Sequence, residues 1–315
     1  METHGIRILG GDDLNIKELK ITNSRDDSIT FGRHFFLTED FQISGLKANV
    51  NTSTFTSDGA HYQSTVLNVR ELDVPFYIKR DGNEAWWIEE KRHEMYTVCN
   101  PKHNPMRLDF TTKAGHEFYL YANAEMAPVY NNGFEHDNKK WLKGLLQFVA
   151  TDPFIYEKDD YYAEIGLWKP AFEFVLEIPE GGIEMGYRTP STMINVENTG
   201  QEATGMIIRF KATATVKNPS LINVNTYESL KLNTAMLPGN AMLPGDEIFI
   251  NTNRGKRSII LSRNNVQTSV FNALDFMTST FLQIEAGDNL FRYEAEENID
   301  FLEVSFNYRA RRIGV

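Results

Sequence analysis

The side chains of this chain that have catalytic or metal-binding chemistry are few and poorly grouped. His93, Cys99 and His103 are metal-ligating types close in sequence. A helix that stops at Asn100-Pro101 puts His93 off its apolar stripe and His103 past its end, so no tetrahedral site shared by all three is expected. Asp159-Asp160 and the group Glu294, Glu296 and Glu297 are carboxylate clusters of the kind a glycosidase uses. That reaction needs two carboxyls about 5 to 9.5 Å apart across a cleft, whereas neighbours in a charge run face solvent together. No glycine-rich phosphate loop followed by Lys-Ser or Lys-Thr, no Gly-x-Ser-x-Gly elbow and no His-Glu-x-x-His pair occurs. No catalytic residue, metal or cofactor is assigned, and the chain is expected not to be an enzyme.

Composition bounds the remaining classes. At 315 residues, 41% hydrophobic and 24% charged, the chain suits two ordinary globular domains, each able to bury a core. The formal net charge of −11 repels nucleic-acid phosphates and anionic lipid. Arg309, Arg311 and Arg312 are a local exception, either a basic patch or a solvated strand end. Cys99 is the single cysteine, which excludes an intrachain disulfide and fits a reducing compartment. No signal-type apolar run begins the chain and no stretch of about 18 apolar residues occurs. Folding in cytosol with no membrane span is expected.

The elements that must position any working surface are mainly strands. From Met206 to Val216 the apolar positions Met206, Ile208, Phe210, Ala212, Ala214 and Val216 fall on one face, and Arg209, Lys211, Thr213 and Thr215 on the other. Leu302, Val304, Phe306 and Tyr308 alternate in the same way with Glu303, Ser305, Asn307 and Arg309. A period of two gives each strand one dry and one wet face, which is the mark of antiparallel sheets. Turns at Leu243-Pro244-Gly245-Asp246-Glu247 and Gly287-Asp288-Asn289 complete the pattern of a β-sandwich. Phe172, Phe174, Leu176 and Ile178 open this second half as a strand, with the boundary between Tyr156 and Lys169. Ala235-Met236-Leu237-Pro238-Gly239 recurs as Ala241-Met242-Leu243-Pro244-Gly245, and this duplication is expected to lengthen a loop as a neutral insertion.

The first half combines strands with one helix. Strands are expected at Val66 to Val69, Val74 to Ile78, Arg107 to Thr111, Glu117 to Ala122 and Leu145 to Ala150. Pro75 lacks the N–H of a ladder donor, so its strand should lie at an edge or begin there. Ser53 to Gln63 is polar and reads as an exposed loop or hairpin arm. Asp81 to Cys99 reads as a helix capped by Asp81 or Asn83, with Glu84 in its first turn and Asn100-Pro101 as its stop. Ala85, Ile88, Met95, Tyr96 and Cys99 form its apolar stripe, with Arg92 inside it. Trp86 and Trp87 fall outside, either as contacts to other copies or packed on the chain's own sheet.

The layout resembles the distal tail proteins of long-tailed phages (siphophages) that infect Gram-positive bacteria. The resemblance rests on Val74-Pro75-Phe76, the helix ending at Asn100-Pro101, the strands either side of Gly115, and Ala150-Thr151-Asp152-Pro153-Phe154. It continues through Ile194-Asn195 with Asn198-Thr199-Gly200, the Leu243 to Glu247 turn with Asn251-Thr252, Gly287-Asp288-Asn289, Tyr308-Arg309 and Gly314-Val315. It implies a mainly β protein: residues 1–160 a ring-forming, β-sandwich-like domain with one helix and an extended arm, residues 161–315 a galectin-like, carbohydrate-module-like sandwich. It further implies a ring of six copies, single or paired, at the virion tail tip, assembled in the host cytoplasm. Such a hub joins the major tail tube protein to the tail-tip lysin or fibre protein and to receptor-binding proteins, while DNA passes through without specific binding. Trp86, Trp87 and Pro75 are the candidate ring contacts. The alternative is a carbohydrate-binding protein recognising host wall glycan through the second sandwich. Against it, Trp86, Trp87, Trp141 and Trp168 all precede that domain or sit at its border, leaving Tyr187 and Tyr227 as partial substitutes.

Overall fold

Alternating burial builds both halves of the chain, and the computed structural model describes residues 16–32, 35–38, 43, 45–54, 58–80, 85–131, 133, 137, 141–165, 168–170, 186–188 and 192–314. Two units result: Met1–Lys158 with Arg312–Val315, and Asp159–Arg311. The helix caps read at Asp81, Asn83 and Glu84 and the strand read at Phe172 to Ile178 lie outside the described residues.

The first unit runs β1 (Ile16–Thr22), β2 (Ser28–Phe31), β3 (Phe36–Thr38), β4 (Ala48–Thr54), β5 (Ala60–Leu67) and β6 (Arg70–Lys79) before helix α1 (Ala85–Val98). It continues with β7 (Met106–Thr112), β8 (Glu117–Ala124), β9 (Val129–Tyr130), β10 (Trp141–Ala150) and β11 (Ile155–Glu157). Spatial order is β2-β1-β7-β8-β10-β6-β3, with β11 added beside β8 and β9 beside β10. Strict alternation in β10, with Leu142, Leu146, Phe148 and Ala150 buried, lets it pair along its whole length with β6, from Trp141↔Lys79 to Ala150↔Arg70. The one smaller residue on that inward face, Gly144, is required: a Cβ there would meet Phe76 Cζ at 2.5 Å and the Val129 carbonyl at 2.8 Å. Phe31, Phe76, Phe110 and Phe148 fill the core, with Ile88, Met95, Val98 and Cys99 contributed by α1 and its end.

The second unit contains β12 (Tyr161–Ile165), β13 (Trp168–Pro170), β14 (Gly186–Arg188), β15 (Met193–Asn198), β16 (Met206–Ala212), β17 (Ser220–Asn223) and β18 (Ser229–Lys231). Then come β19 (Glu247–Asn251), β20 (Ser258–Arg263), β21 (Val266–Ser269), β22 (Gly287–Glu294) and β23 (Leu302–Tyr308); the short β24 (Arg311–Arg312) pairs instead with β11 in the first unit's sheet. Sheets ordered β12-β23-β16-β19-β20-β21 and β15-β22-β17-β18 face one another across a shared core, the sandwich that the alternation of β16 and β23 predicts. The dry face of β16 ends at Ala212; Val216 returns to the core through a bridge to Met242. Among the described residues β13 and β14 pair only with each other, and they carry Trp168 and Tyr187.

The duplicated segment is not a slack insertion. Its two copies take opposite environments: Met236 is exposed where its counterpart Met242 is buried, and Leu237 is buried where Leu243 is exposed. Leu237 and Met242 both enter the core. Repetition therefore supplies one core side chain per copy from different positions, a choice of face that sequence identity cannot display.

Candidate functional site

The residues singled out for chemistry do not converge. His93 is exposed on α1, while Cys99 is buried and its thiol is pushed up to about 12 by burial. His103 serves the helix end: its Nδ1 donates to the Thr97 carbonyl at 3.2 Å, beside Asn23, which donates to the Val98 carbonyl at 3.2 Å. Among the described residues no group of three His, Cys, Asp or Glu is placed to hold a metal ion. Apart from the exposed Asp159, the carboxylates of the acidic clusters pair with cations. Asp160 meets Arg309 at 2.5 Å, Glu294 meets Arg292 at 2.6 Å, Glu296 meets Lys231 at 2.9 Å and Glu297 meets Lys217 at 2.8 Å.

The C-terminal arginines likewise do not form a solvated basic patch. Arg311 is buried and donates to the Ala203 carbonyl at 3.1 Å. Arg312 pairs with Glu157 at 2.5 Å and lies over the Phe118 ring. Sequence alone gives no sign of this, because the partners are more than 100 residues away.

What the first unit does present is apolar and strand-like surface. β4 and β5 form a hairpin that, among the described residues, pairs only with itself, from Ala48↔Leu67 to Thr54↔Ala60, with Gly59 at positive φ near its tip. Apart from Ser53 and Leu67, every residue of the two strands is exposed, and Val50, Tyr62 and Val66 show apolar side chains to water. The polar reading of residues 53–63 found the arm but missed these three. A free two-stranded ribbon is marginal in water, so both faces and both edges await a partner.

Helix α1 separates its two tryptophans. Trp87 packs edge-on against Phe35 at 4.9 Å between ring centroids and joins the core, while Trp86 is 60% exposed. The stripe differs from expectation at two positions: Val98 is buried, and Tyr96 is exposed with its ring against Tyr130 at 5.7 Å. Arg92 keeps its charge within the stripe by lying over the Tyr130 ring at 4.7 Å.

Pro75 is neither at the start of its strand nor on an edge strand, because β3 flanks β6 from Phe76 to Ile78. It sits one residue beyond the last described pair of β3 with β6, Thr38↔Phe76. Thr38 Oγ1 donates to the Pro75 carbonyl at 3.0 Å, which turns the residue's backbone toward β3 and away from β10. The missing N–H therefore falls beyond the last pair that the described residues of β3 make, and costs no ladder bond among them. Pro75 and the Trp87–Phe35 contact lie at opposite ends of β3, about 13 Å apart along the strand at ~3.3 Å per residue.

Two family models match the chain in the order of its two units. Residues 24–150 match the phage tail protein RIFT-related domain, and residues 199–311 match the siphovirus-type tail component, C-terminal domain. The chain belongs to the siphophage distal tail proteins. A distal tail protein is a structural part of the virion's tail tip. No curated protein matches the sequence. Among solved structures the chain is similar to SPP1 Dit, described as a paradigm of hub adsorption apparatus in Gram-positive infecting phages. That match has 12% identity and a TM-score of 0.65 over 93% of this chain and 98% of that one. It is also similar to a chain of the phage P2 baseplate in its activated conformation, solved with Ca and with Sr, at 11% identity and a TM-score of 0.50 over 95% of this chain and 99% of that one. At such identities the likeness is one of fold.

Proposed function

We propose that this distal tail protein is a non-catalytic hub whose first domain, residues 1–160, closes a ring of six copies under the tail tube. The second domain, residues 161–315, is then a docking face for other tail-tip proteins. The observation that carries this reading is the β4–β5 arm: a ribbon exposed on both faces and, among the described residues, unpaired at both outer edges; the exposed Trp86 is a second uncovered surface of the same unit. Pairing of such an edge with a neighbouring copy satisfies its backbone groups and covers Val50, Tyr62 and Val66. Closed rotational symmetry uses each arm once and leaves none over.

In this reading the tube protein lies on one side of the ring, and the tail-tip lysin or fibre protein and receptor-binding proteins on the other. The acidic balance of the chain suits a channel through which DNA slides without being held. The rings assemble in the host cytoplasm, single or paired back to back.

Size-exclusion chromatography with light scattering tests the reading. A mass of six 36.1 kDa chains, or of two such rings, is the expected result. A strictly monomeric full chain at high concentration, unchanged when Val50 and Tyr62 are replaced by Ser, overturns it.

A further inference from the structure

The second unit carries a surface that its own folding does not explain. The segment between Asp275 and Thr280 runs along the edge strand β18 and is tied to it at several points. Asp275 N–H donates to the Lys231 carbonyl at 3.0 Å, Thr280 N–H to the Ser229 carbonyl at 2.8 Å, and Ser229 Oγ to the Thr278 carbonyl at 3.0 Å. Within the loop, the Asp275 carboxylate accepts from Met277 N–H at 3.1 Å and from Thr278 Oγ1 at 2.8 Å. Those bonds hold the Asp275 carboxyl below the usual carboxylate range.

This well-tied loop presents Phe276 at 62% exposure and Met277 at 93%. Phe271 packs beside them, 6.0 Å from the Phe276 ring and 6.0 Å from that of Phe281, and is itself exposed. Ordering a loop so that a phenylalanine and a methionine stand in water gains no burial within the chain; a floppy loop would let them collapse onto the surface. Methionine and phenylalanine held ready in this way match the anchors of protein interfaces.

The charge beside them has the opposite sign to the chain as a whole. The β19–β20 turn, Arg254-Gly255-Lys256-Arg257, is exposed, and Arg257 lies over the Phe281 ring at 4.7 Å. No carboxylate pairs with Arg254 or Arg257 among the described residues. In a chain of net charge −11 this basic rim next to an apolar tip selects for an occupant that is acidic and offers an apolar pocket.

We propose that Phe276 and Met277, rimmed by Phe271 and the Arg254–Arg257 turn, dock an acidic, apolar-lined segment of another tail protein. This rests on the tail-tip reading above and names the chemistry of one of its partners. A methionine at the most exposed point favours a protein pocket over a sugar ring, which needs a flat aromatic face.

The test uses virions in which full-length variants replace the wild-type chain. With Phe276→Ser plus Met277→Asp, and separately with Arg254→Glu plus Arg257→Glu, purified tails should keep this chain and lose at least tenfold of one and the same other tail protein. p-Benzoylphenylalanine placed at position 277 should crosslink to that protein within a peptide rich in Asp and Glu, while the same probe at Val266 should not. A full protein complement in both variants, or a crosslink at 277 to a basic or uncharged segment, or none, overturns the proposal. So does binding of soluble polyglycerol phosphate that both variants abolish while the protein complement stays whole, since the occupant is then a polyanion. Absence of the wild-type chain from virions would instead sink the tail-tip reading; the crosslink, run on the complex with the full chain in lysates of infected cells, still decides the docking.

Discussion

Asp246 and Arg263 form a two-point ion pair: Nε donates to Oδ1 at 2.7 Å and Nη2 to Oδ2 at 2.5 Å, with the aspartate side chain only 1% exposed. The same guanidinium donates to the carbonyls of Pro238 at 2.6 Å and Ala241 at 2.9 Å, one in each copy of the repeated segment. Asp246 in turn accepts from Leu243 N–H at 2.7 Å. One arginine on β20 therefore ties both copies to the strand that follows them. Removing it leaves a buried carboxylate and two carbonyls without their donor. Arg263→Met should cost about 3 kcal/mol, the range for breaking one side of a buried pair, read as a lower urea midpoint of the second unit. Arg263→Lys should recover little, because an ammonium cannot match the fork. A loss below about 1 kcal/mol for Arg263→Met would show that the repeat holds itself.

That relationship also marks where sequence reading stops. β16 and β23 were legible because each has one dry face, and the burial pattern follows the period of two except at Ser305, which is buried although the alternation puts it on the wet face. The arm was legible only as polarity; its Val50, Tyr62 and Val66 carry strand propensity without burial, which no alternation reveals. Trp87 and Trp86 occupy adjacent positions yet differ in environment, because Phe35, remote in sequence, supplies the surface that covers one of them. Arg263 looked like an ordinary turn residue, and Phe276-Met277 like ordinary loop hydrophobes. In each case the deciding partner is a tertiary neighbour, and a single sequence has no period that encodes it.

Arg70 should prove as sensitive as a core residue. It opens β6 at 2% exposure, donates from Nε to the Pro153 carbonyl at 2.8 Å and from Nη2 to the Ile313 carbonyl at 2.5 Å. Burial lowers its pKa from the ordinary arginine value. Arg70→Ala should cost about 3 kcal/mol through two orphaned carbonyls and lost packing. Hydrogen exchange should show the amides around Pro153 and Ile313 opening first. Unchanged protection there would assign the burial of Arg70 to packing alone.

Cys99 gives a pH dependence with a definite sign. Burial raises its thiol to about 12, and Tyr130 is raised as well, chiefly by burial. Each group binds its proton more tightly folded than unfolded, so its contribution is complete below the unfolded pKa and is lost as pH rises toward the folded one. For the thiol this window opens at about pH 8.5. The first unit should lose stability from there upward, and Cys99→Ala should flatten that limb. At pH 8 a thiol reagent should label the native chain at least a hundredfold more slowly than the chain in guanidinium. Equal labelling rates would place Cys99 at the surface and sink the argument.

Trp86 and Trp87 should separate assembly from folding. Trp87 packs on Phe35 and against the core, so Trp87→Ala removes buried aromatic area and should destabilise the chain by about 2 to 4 kcal/mol. Trp86 stands 60% exposed, and Trp86→Ala should change thermal stability of the unassembled chain by no more than about 0.5 kcal/mol. If the helix contacts a neighbouring copy, the same substitution should shift the light-scattering mass from ring to smaller species at a concentration where the wild type stays closed. The two measurements distinguish the roles because an exposed ring contact leaves the melting curve in place while it dissolves the oligomer. A Trp86→Ala chain that assembles at the wild-type concentration removes the tryptophan from the interface and leaves the β4–β5 arm to carry ring closure alone.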